Sequence, residues 1–268
     1  MEPEVMNQSD FNIKNEDILA IETYKQQVIA KRKKVDSLEK KGVSILIVTN
    51  KLNYIDNIFA NIERSAYPKK EFLIILNNND IPLSAFQERI PSGANIRIFK
   101  LDETVTLGDC LNFGVRQAQY DYVGKMDDDD YYGANYLLDQ MNLFYDPQID
   151  VVSISNQYIE FEGNNSLYVV CAPGNYQRIY HASGATIIAK KSVFDSISFQ
   201  SINCDEDRRF FMDCVKHDFM IYCGSNLNYI YKRHAHNKDH TFQIEDEFFL
   251  NFSRKIHADC NFEALITA

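Results

Sequence analysis

Apolar residues near the start of the chain recur at helical spacing: Ile18, Leu19, Ile21, Val28, Ile29, Val35 and Leu38. No Gly or Pro lies between Glu4 and Lys41, so the pattern predicts one or two helices ended by Gly42. From Val43 the period changes. Val43-Ser44-Ile45-Leu46-Ile47-Val48 is short, apolar and rich in β-branched residues, the signature of a buried strand. Ile55, Ile58, Phe59 and Ile62 then share one helical face, and Tyr67-Pro68 closes that helix. Phe72 to Leu76 is a second buried strand. Leu83 to Ile90 reads as a helix and Ile96 to Phe99 as a strand. A helix from about Leu107 to Gln119 precedes a fourth strand, Tyr122 to Met126, which runs directly into Asp127-Asp128-Asp129-Asp130.

This alternation predicts an α/β fold, a parallel sheet with helices on both faces. Ligands bind such sheets at the carboxyl ends of the strands. Thr49-Asn50, Asn77-Asn78-Asn79-Asp80 and Asp127 to Asp130 all fall at predicted strand ends, and right-handed crossovers bring them to one edge. After Asp130 the pattern is mixed. A helix near Asn135 to Phe144 is followed by extended segments at Val151 to Ile154, Tyr158 to Phe161, Leu167 to Val170 and Thr186 to Ile188. A helix at about Asp205 to His217 and a strand at Asn228 to Tyr231 come last, leading into Lys232-Arg233-His234. With no flexible linker between them, the two halves are expected to share one continuous sheet.

Charge narrows the function. Of 268 residues, 28 are basic and 38 acidic, a formal net of −10. Duplex binding depends on Lys and Arg neutralising phosphates, so nucleic acid is not an expected partner. The basic run Lys31-Arg32-Lys33-Lys34 is the exception; it reads as a solvated helix face or as a contact with an anionic surface. No apolar run approaches the ~20 residues of a membrane span, and the acidic start lacks signal-peptide order, so a cytoplasmic setting is expected. The six cysteines form no Cys-x-x-Cys pair and read as thiols.

Four consecutive carboxylates repel one another by roughly a kcal/mol or more per pair. A divalent cation offsets that cost, and hard carboxylate oxygens suit Mg²⁺ or Mn²⁺, with phosphate completing the shell. A calcium loop counted from Asp128 fails, because Tyr132 stands at its fifth position and no helix precedes it.

Taken in order, the motifs resemble a family 2 glycosyltransferase of the GT-A fold. Val43 to Lys51 is similar to the family's opening strand and nucleotide-binding turn, and Phe72 to Asn78 to its second strand. Leu107 to Val115 carries an Asn-x-Gly signature at Asn112 and Gly114. Asp127 to Asp130 resembles the Asp-x-Asp motif. His181-Ala182-Ser183-Gly184-Ala185 resembles the acceptor-side Gly segment, Cys204-Asp205-Glu206-Asp207 the Glu-Asp base motif, and Tyr231 to His234 the late Arg/His loop. The Asn-rich end of the second strand is also similar to spore-maturation glycosyltransferases of bacilli.

The resemblance implies a Rossmann-like, nucleotide-binding mixed sheet flanked by helices. Residues 1–42 would be an N-terminal helical extension to a GT-A domain at 43–268. Within that domain, 43–130 would hold the donor and 131–268 the acceptor. The implied activity is an inverting, metal-dependent hexosyltransferase with a nucleotide-sugar donor, UDP-linked by preference, an unidentified acceptor, and Mn²⁺ or Mg²⁺ as cofactor. Thr49, Asn50 and Asn78 would lie by the nucleotide and Asp127 on its ribose. Asp129 would hold the metal. Asp207 would be the base, with Glu206 as the alternative. Arg233 would hold the diphosphate, and His234 either the diphosphate or the metal; His236 and His240 are further candidates in the same loop. Asn78 stands where the family usually has Asp, which opens the choice of base to dTDP and GDP. Two rivals share the fold. A nucleotidyltransferase would need a Gly-rich phosphate loop, which Thr49 to Tyr54 lacks. A non-catalytic nucleotide-sugar-binding module would have no need to keep Asp127, Asp129 and Asp207 together.

Overall fold

The computed structural model describes residues 8–234, 245–258 and 260–268. It opens with one long helix, α1 (Gln8–Lys34). Four parallel strands follow: β1 (Val43–Thr49), β2 (Lys70–Leu76), β3 (Ile96–Lys100) and β4 (Tyr122–Lys125). Helices α2 (Ile55–Arg64), α3 (Leu83–Gln87) and α4 (Leu107–Gln117) connect them. β1 and β2 are covered on both faces, which is why their sequences are nearly continuous apolar runs.

The two polar residues inside these strands find each other. Glu71 is fully buried on β2. Its Oε1 accepts from the Ser44 hydroxyl at 2.5 Å and from the Gln119 amide at 2.7 Å. Its Oε2 accepts from Arg97 at 2.8 Å. One satisfied carboxylate therefore ties three neighbouring strands to the end of α4.

The second half comprises β5 (Tyr131–Tyr132), α5 (Tyr136–Met141), β6 (Val151–Ser153), β7 (Tyr158–Phe161), β8 (Ser166–Val170), β9 (Ile188–Lys190), α6 (Glu206–Lys216), β10 (Ile221–Cys223), β11 (Tyr229–Arg233), α7 (Asp246–Leu250), β12 (Ser253–Ile256) and α8 (Phe262–Ile266). The expectation of one continuous sheet is corrected here. A seven-stranded sheet runs β10-β6-β9-β4-β1-β2-β3, and a five-stranded sheet runs β12-β8-β7-β11-β5. The run Asp127 to Asp130 is where the chain leaves β4 of the first sheet and enters β5 of the second. The acids thus stand at the seam between the sheets.

Helix α1 is packed against the second sheet. Ile21 and Val28 are buried with Tyr131, Leu167, Ile230 and Phe262. Arg32, from the basic run, makes a two-pronged bond to buried Asp139, at 2.5 and 2.8 Å, while Lys31, Lys33 and Lys34 stay exposed. Asn228 gives Asp139 one further donor at 3.0 Å. Removing one partner of a buried pair leaves the other charge uncompensated. Arg32→Met is therefore expected to cost about 3 kcal/mol in chemical denaturation; a loss below about 0.5 kcal/mol, the level of an ordinary surface change, would contradict this docking.

Among the described residues, no helix is long and apolar enough to cross a membrane. All six cysteines are free. Cys110, Cys214 and Cys223 are buried, while Cys171, Cys204 and Cys260 are exposed.

Candidate active site

The backbone of the acid run is held from below. Asn57 on α2 donates to the carbonyls of Asp128 and Asp130, at 2.8 and 2.9 Å. Asn61, one turn on, donates to the Asp130 carbonyl at 2.8 Å. The Tyr132 hydroxyl accepts from the Asp127 amide at 2.9 Å and donates to the Ala185 carbonyl at 2.7 Å. Backbone groups that leave a strand end need such partners when they are buried.

The four carboxylates do four different things. Asp130 is fully buried, accepting from the Tyr229 hydroxyl at 2.7 Å and the Lys232 amide at 3.0 Å. Burial, then the like charges of Asp129 and Asp127, push its carboxyl well above the usual range. It is a structural acid that fastens the run to β11. Asp128 accepts from the Thr49 hydroxyl at 2.5 Å, and burial pushes it up to about 7. Asp127 lies 3.0 Å from the ammonium of Lys125. Asp129 faces His234, with Oδ2 and Nε2 3.7 Å apart, a distance for an ion pair rather than a hydrogen bond. The imidazole is also 2.9 Å from Glu162 and stacked on Tyr54 at 5.5 Å. The pull of Asp129 outweighs burial and, with Glu162, raises His234 to about 9.

Across the cleft stands the first turn of α6. Asp205 turns the chain into it with a left-handed φ of 74°. Glu206 points inward, 4% exposed, with Oε1 3.5 Å from the same Lys125 ammonium. Burial raises its carboxyl and Lys125 pulls it back. Asp207 is half-buried and lies against Gly184, where a Cβ would fall 1.9 Å from its Oδ2. Only the absent side chain at 184 leaves room for this carboxylate. Gly184→Ala should displace Asp207 and lower turnover by about 10²-fold, the usual consequence of an ångström-scale misplacement. Unimpaired turnover in that variant would show that Asp207 does not work from this position.

The approach to α6 is fastened to α4. Asn112 donates to the Phe199 carbonyl at 2.7 Å and accepts from the Phe199 amide at 3.0 Å. The Gly108 amide donates to the Ile202 carbonyl at 3.1 Å, and a Cβ at Gly108 would collide with the Gln200 carbonyl at 1.8 Å. Helix α4 is thus a brace for the segment that presents Glu206 and Asp207.

The family model for glycosyl transferase family 2 matches residues 44–210. The chain belongs to that family. A curated relative, the poly-beta-1,6-N-acetyl-D-glucosamine synthase of Staphylococcus aureus strain MSSA476, is 28% identical over 123 residues, 44% of this chain. The chain spans about 29% of the length of the curated relatives it matches. Among solved structures, the mannosyltransferase PcManGT from Pyrobaculum calidifontis, in complex with GDP-Man and Mn²⁺, superposes with a TM-score of 0.57 at 14% identity, covering 82% of this chain and 67% of that one. Staphylococcus aureus TarS 1-349 in complex with UDP-GlcNAc gives 0.58 at 18% identity, covering 71% and 58%. At these identities the likeness establishes the shared GT-A fold.

In this family 2 chain the predicted site residues are placed as follows. Asp127, Asp129, Glu206, Asp207 and His234 gather around the seam, joined by Lys125. Asn78 is half-buried just past the end of β2, donating to the Asn50 carbonyl at 2.9 Å and accepting from the Asp80 amide at 2.8 Å. Thr49 is buried, its hydroxyl given to Asp128. Arg233 is also buried, donating to Asp246 at 2.8 Å with its guanidinium over the Phe249 ring. A diphosphate would reach it only by opening that packing. His236 and His240 lie outside the described residues.

Among the described residues, no group of three His, Cys, Asp or Glu side chains is arranged to hold a metal ion. Asp129 and His234 nevertheless form a carboxylate–imidazole pair facing each other at 3.7 Å. Mg²⁺-type ions often take only one or two protein ligands and complete their shell with substrate phosphate and water. The donor set fits an ion that arrives with a diphosphate and displaces the proton that Asp129 and Glu162 otherwise hold on the imidazole.

Sequence reasoning missed Lys125. Its signal was an ammonium inside a strand otherwise built of buried residues, where a charge must have a partner.

Proposed function

We propose that this cleft binds a nucleotide-sugar with a divalent cation and transfers the sugar to an acceptor hydroxyl with inversion. The observation that carries the reading is the meeting of the strand-end acids Asp127 and Asp129 with the first turn of α6, where one ammonium lies 3.0 Å from Asp127 and 3.5 Å from Glu206. Family membership and the nucleotide-sugars held by TarS and PcManGT support it. In this reading residues 43–130 hold the donor and 131–268 the acceptor, with α1 built into the core of the second half.

Asp127 accepts a hydrogen bond from the donor's ribose, and Asn50 and Asn78 line the base end. Asp129 and His234 would hold the cation, which when bound neutralises charge on the departing diphosphate. Asp207, the more open of the two α6 acids, takes the proton of the acceptor hydroxyl. The acceptor oxygen then attacks the anomeric carbon opposite the leaving group, which inverts its configuration. Glu206 is too buried and too close to Lys125 to take that part. Calorimetric titration of UDP with and without Mn²⁺, with GDP and dTDP alongside, tests the donor assignment. UDP should bind more tightly with the ion than without it, and more tightly than the other two; equal affinity in all conditions would remove both assignments.

A further inference from the structure

Lys125 touches both sides of the cleft's floor. It sits at the carboxyl end of β4, 8% exposed, between Asp127 at 3.0 Å and Glu206 at 3.5 Å. Asp207 adds a third attracting charge. Burial disfavours an ammonium here, but these three carboxylates together outweigh it. Among the described residues, no other cation pairs with Glu206. Without Lys125, Glu206 would be an unpaired acid buried at the start of α6.

We propose that Lys125 is a positioning residue: its ammonium bridges the donor-side carboxylate of Asp127 to Glu206, and so fixes the turn that aims Asp207. The inference rests on the glycosyl-transfer reading for its consequence and on the bridge itself for its geometry. Glu206 and Asp207 are consecutive in the first turn of α6, so the inward anchor of one sets the outward direction of the other. The Asp205 backbone just before them is left-handed, a conformation that non-Gly residues hold only when surrounding contacts enforce it. Lys125 holds the next residue, Glu206, from the sheet side, and the α4 brace holds the segment just before the turn.

The bridge also couples the two halves of the site. A donor seated on Asp127 would act on the α6 turn through one shared ammonium. Nucleotide binding should therefore tighten the segment 204–208, which lies across the cleft.

The test uses the full chain with amide hydrogen exchange, UDP plus Mn²⁺ as the probe, and turnover as a separate readout. In Lys125→Met, which keeps length without charge, exchange at 204–208 should accelerate at least tenfold, while β1 and β2 amides keep their protection. Turnover should fall by about 10²-fold. Glu206→Gln cuts the same bridge from its other end and should loosen the same segment, which keeps the test decisive if Lys125→Met does not fold. In the double variant the turnover losses should not multiply, because both substitutions remove one interaction. Unchanged exchange at 204–208 in either foldable variant would overturn the proposal, as would multiplying losses. Absence of turnover in the wild type would instead strike the glycosyl-transfer reading, and the exchange result would still decide the bridge.

Discussion

Asp207→Asn is expected to keep its affinity for donor and cation and to lose transfer by roughly 10²- to 10⁴-fold, the usual share of a general base. The substitution preserves shape, and the room beside Gly184 still accepts the side chain. The residues placed on the donor and the cation come from other elements: Asp127 and Asp129 follow β4, and His234 follows β11. What is lost is the ability to take a proton. Glu206→Gln provides the contrast. Glu206 is buried and bonded to Lys125, so its loss loosens the turn without removing the base, and transfer should fall less than in Asp207→Asn. A rate assay with donor affinity measured separately checks both. Near-normal transfer by Asp207→Asn beside an inactive Glu206→Gln would move the base by one residue; normal transfer by both would end the carboxylate-base mechanism.

Asp129→Asn should behave differently, because it strikes binding as well as rate. Asp129 is the acid that faces His234, while Asp130 and Asp128 are committed to Tyr229 and Thr49. Neutralising it removes half of the proposed pair of protein donors. Metal stabilisation of a leaving group contributes several kcal/mol, so turnover should fall by roughly 10²- to 10³-fold. UDP should also lose the part of its affinity that depends on Mn²⁺. Calorimetry on the variant, with and without the ion, separates the two effects. A variant that still binds UDP more tightly with Mn²⁺ would exclude Asp129 as the ligand. Asp130→Asn should instead lower stability, since its carboxylate is closed in by Tyr229 and Lys232.

The strands that carry the site were legible because their burial on both faces is written into local composition. Val43 to Val48, Phe72 to Leu76 and Tyr122 to Met126 are mostly apolar for that reason, Ser44 and Lys125 apart, and each ends in the polar cluster that the fold places at one edge. The division of labour within Asp127 to Asp130 was not legible. Four identical residues differ only in what reaches them: Thr49 from β1, Tyr229 from β11, Lys125 from β4 and His234 from beyond β11. The break between the two sheets was hidden for a related reason. It depends on β5 pairing with β11, nearly a hundred residues later, and a two-residue strand has no periodicity to read. The docking of α1 was obscured by its basic run, because Arg32 reads as solvated until Asp139 is placed beside it.

The most direct test of the account is the release of nucleoside diphosphate from UDP-linked sugars in the presence of Mn²⁺, compared between the wild-type chain, Asp129→Asn and Asp207→Asn. The account predicts release by the wild type from at least one such donor, and at least about 10²-fold slower release by both variants. Equal release by all three proteins, or none by the wild type from UDP-, GDP- or dTDP-linked sugars, would contradict it.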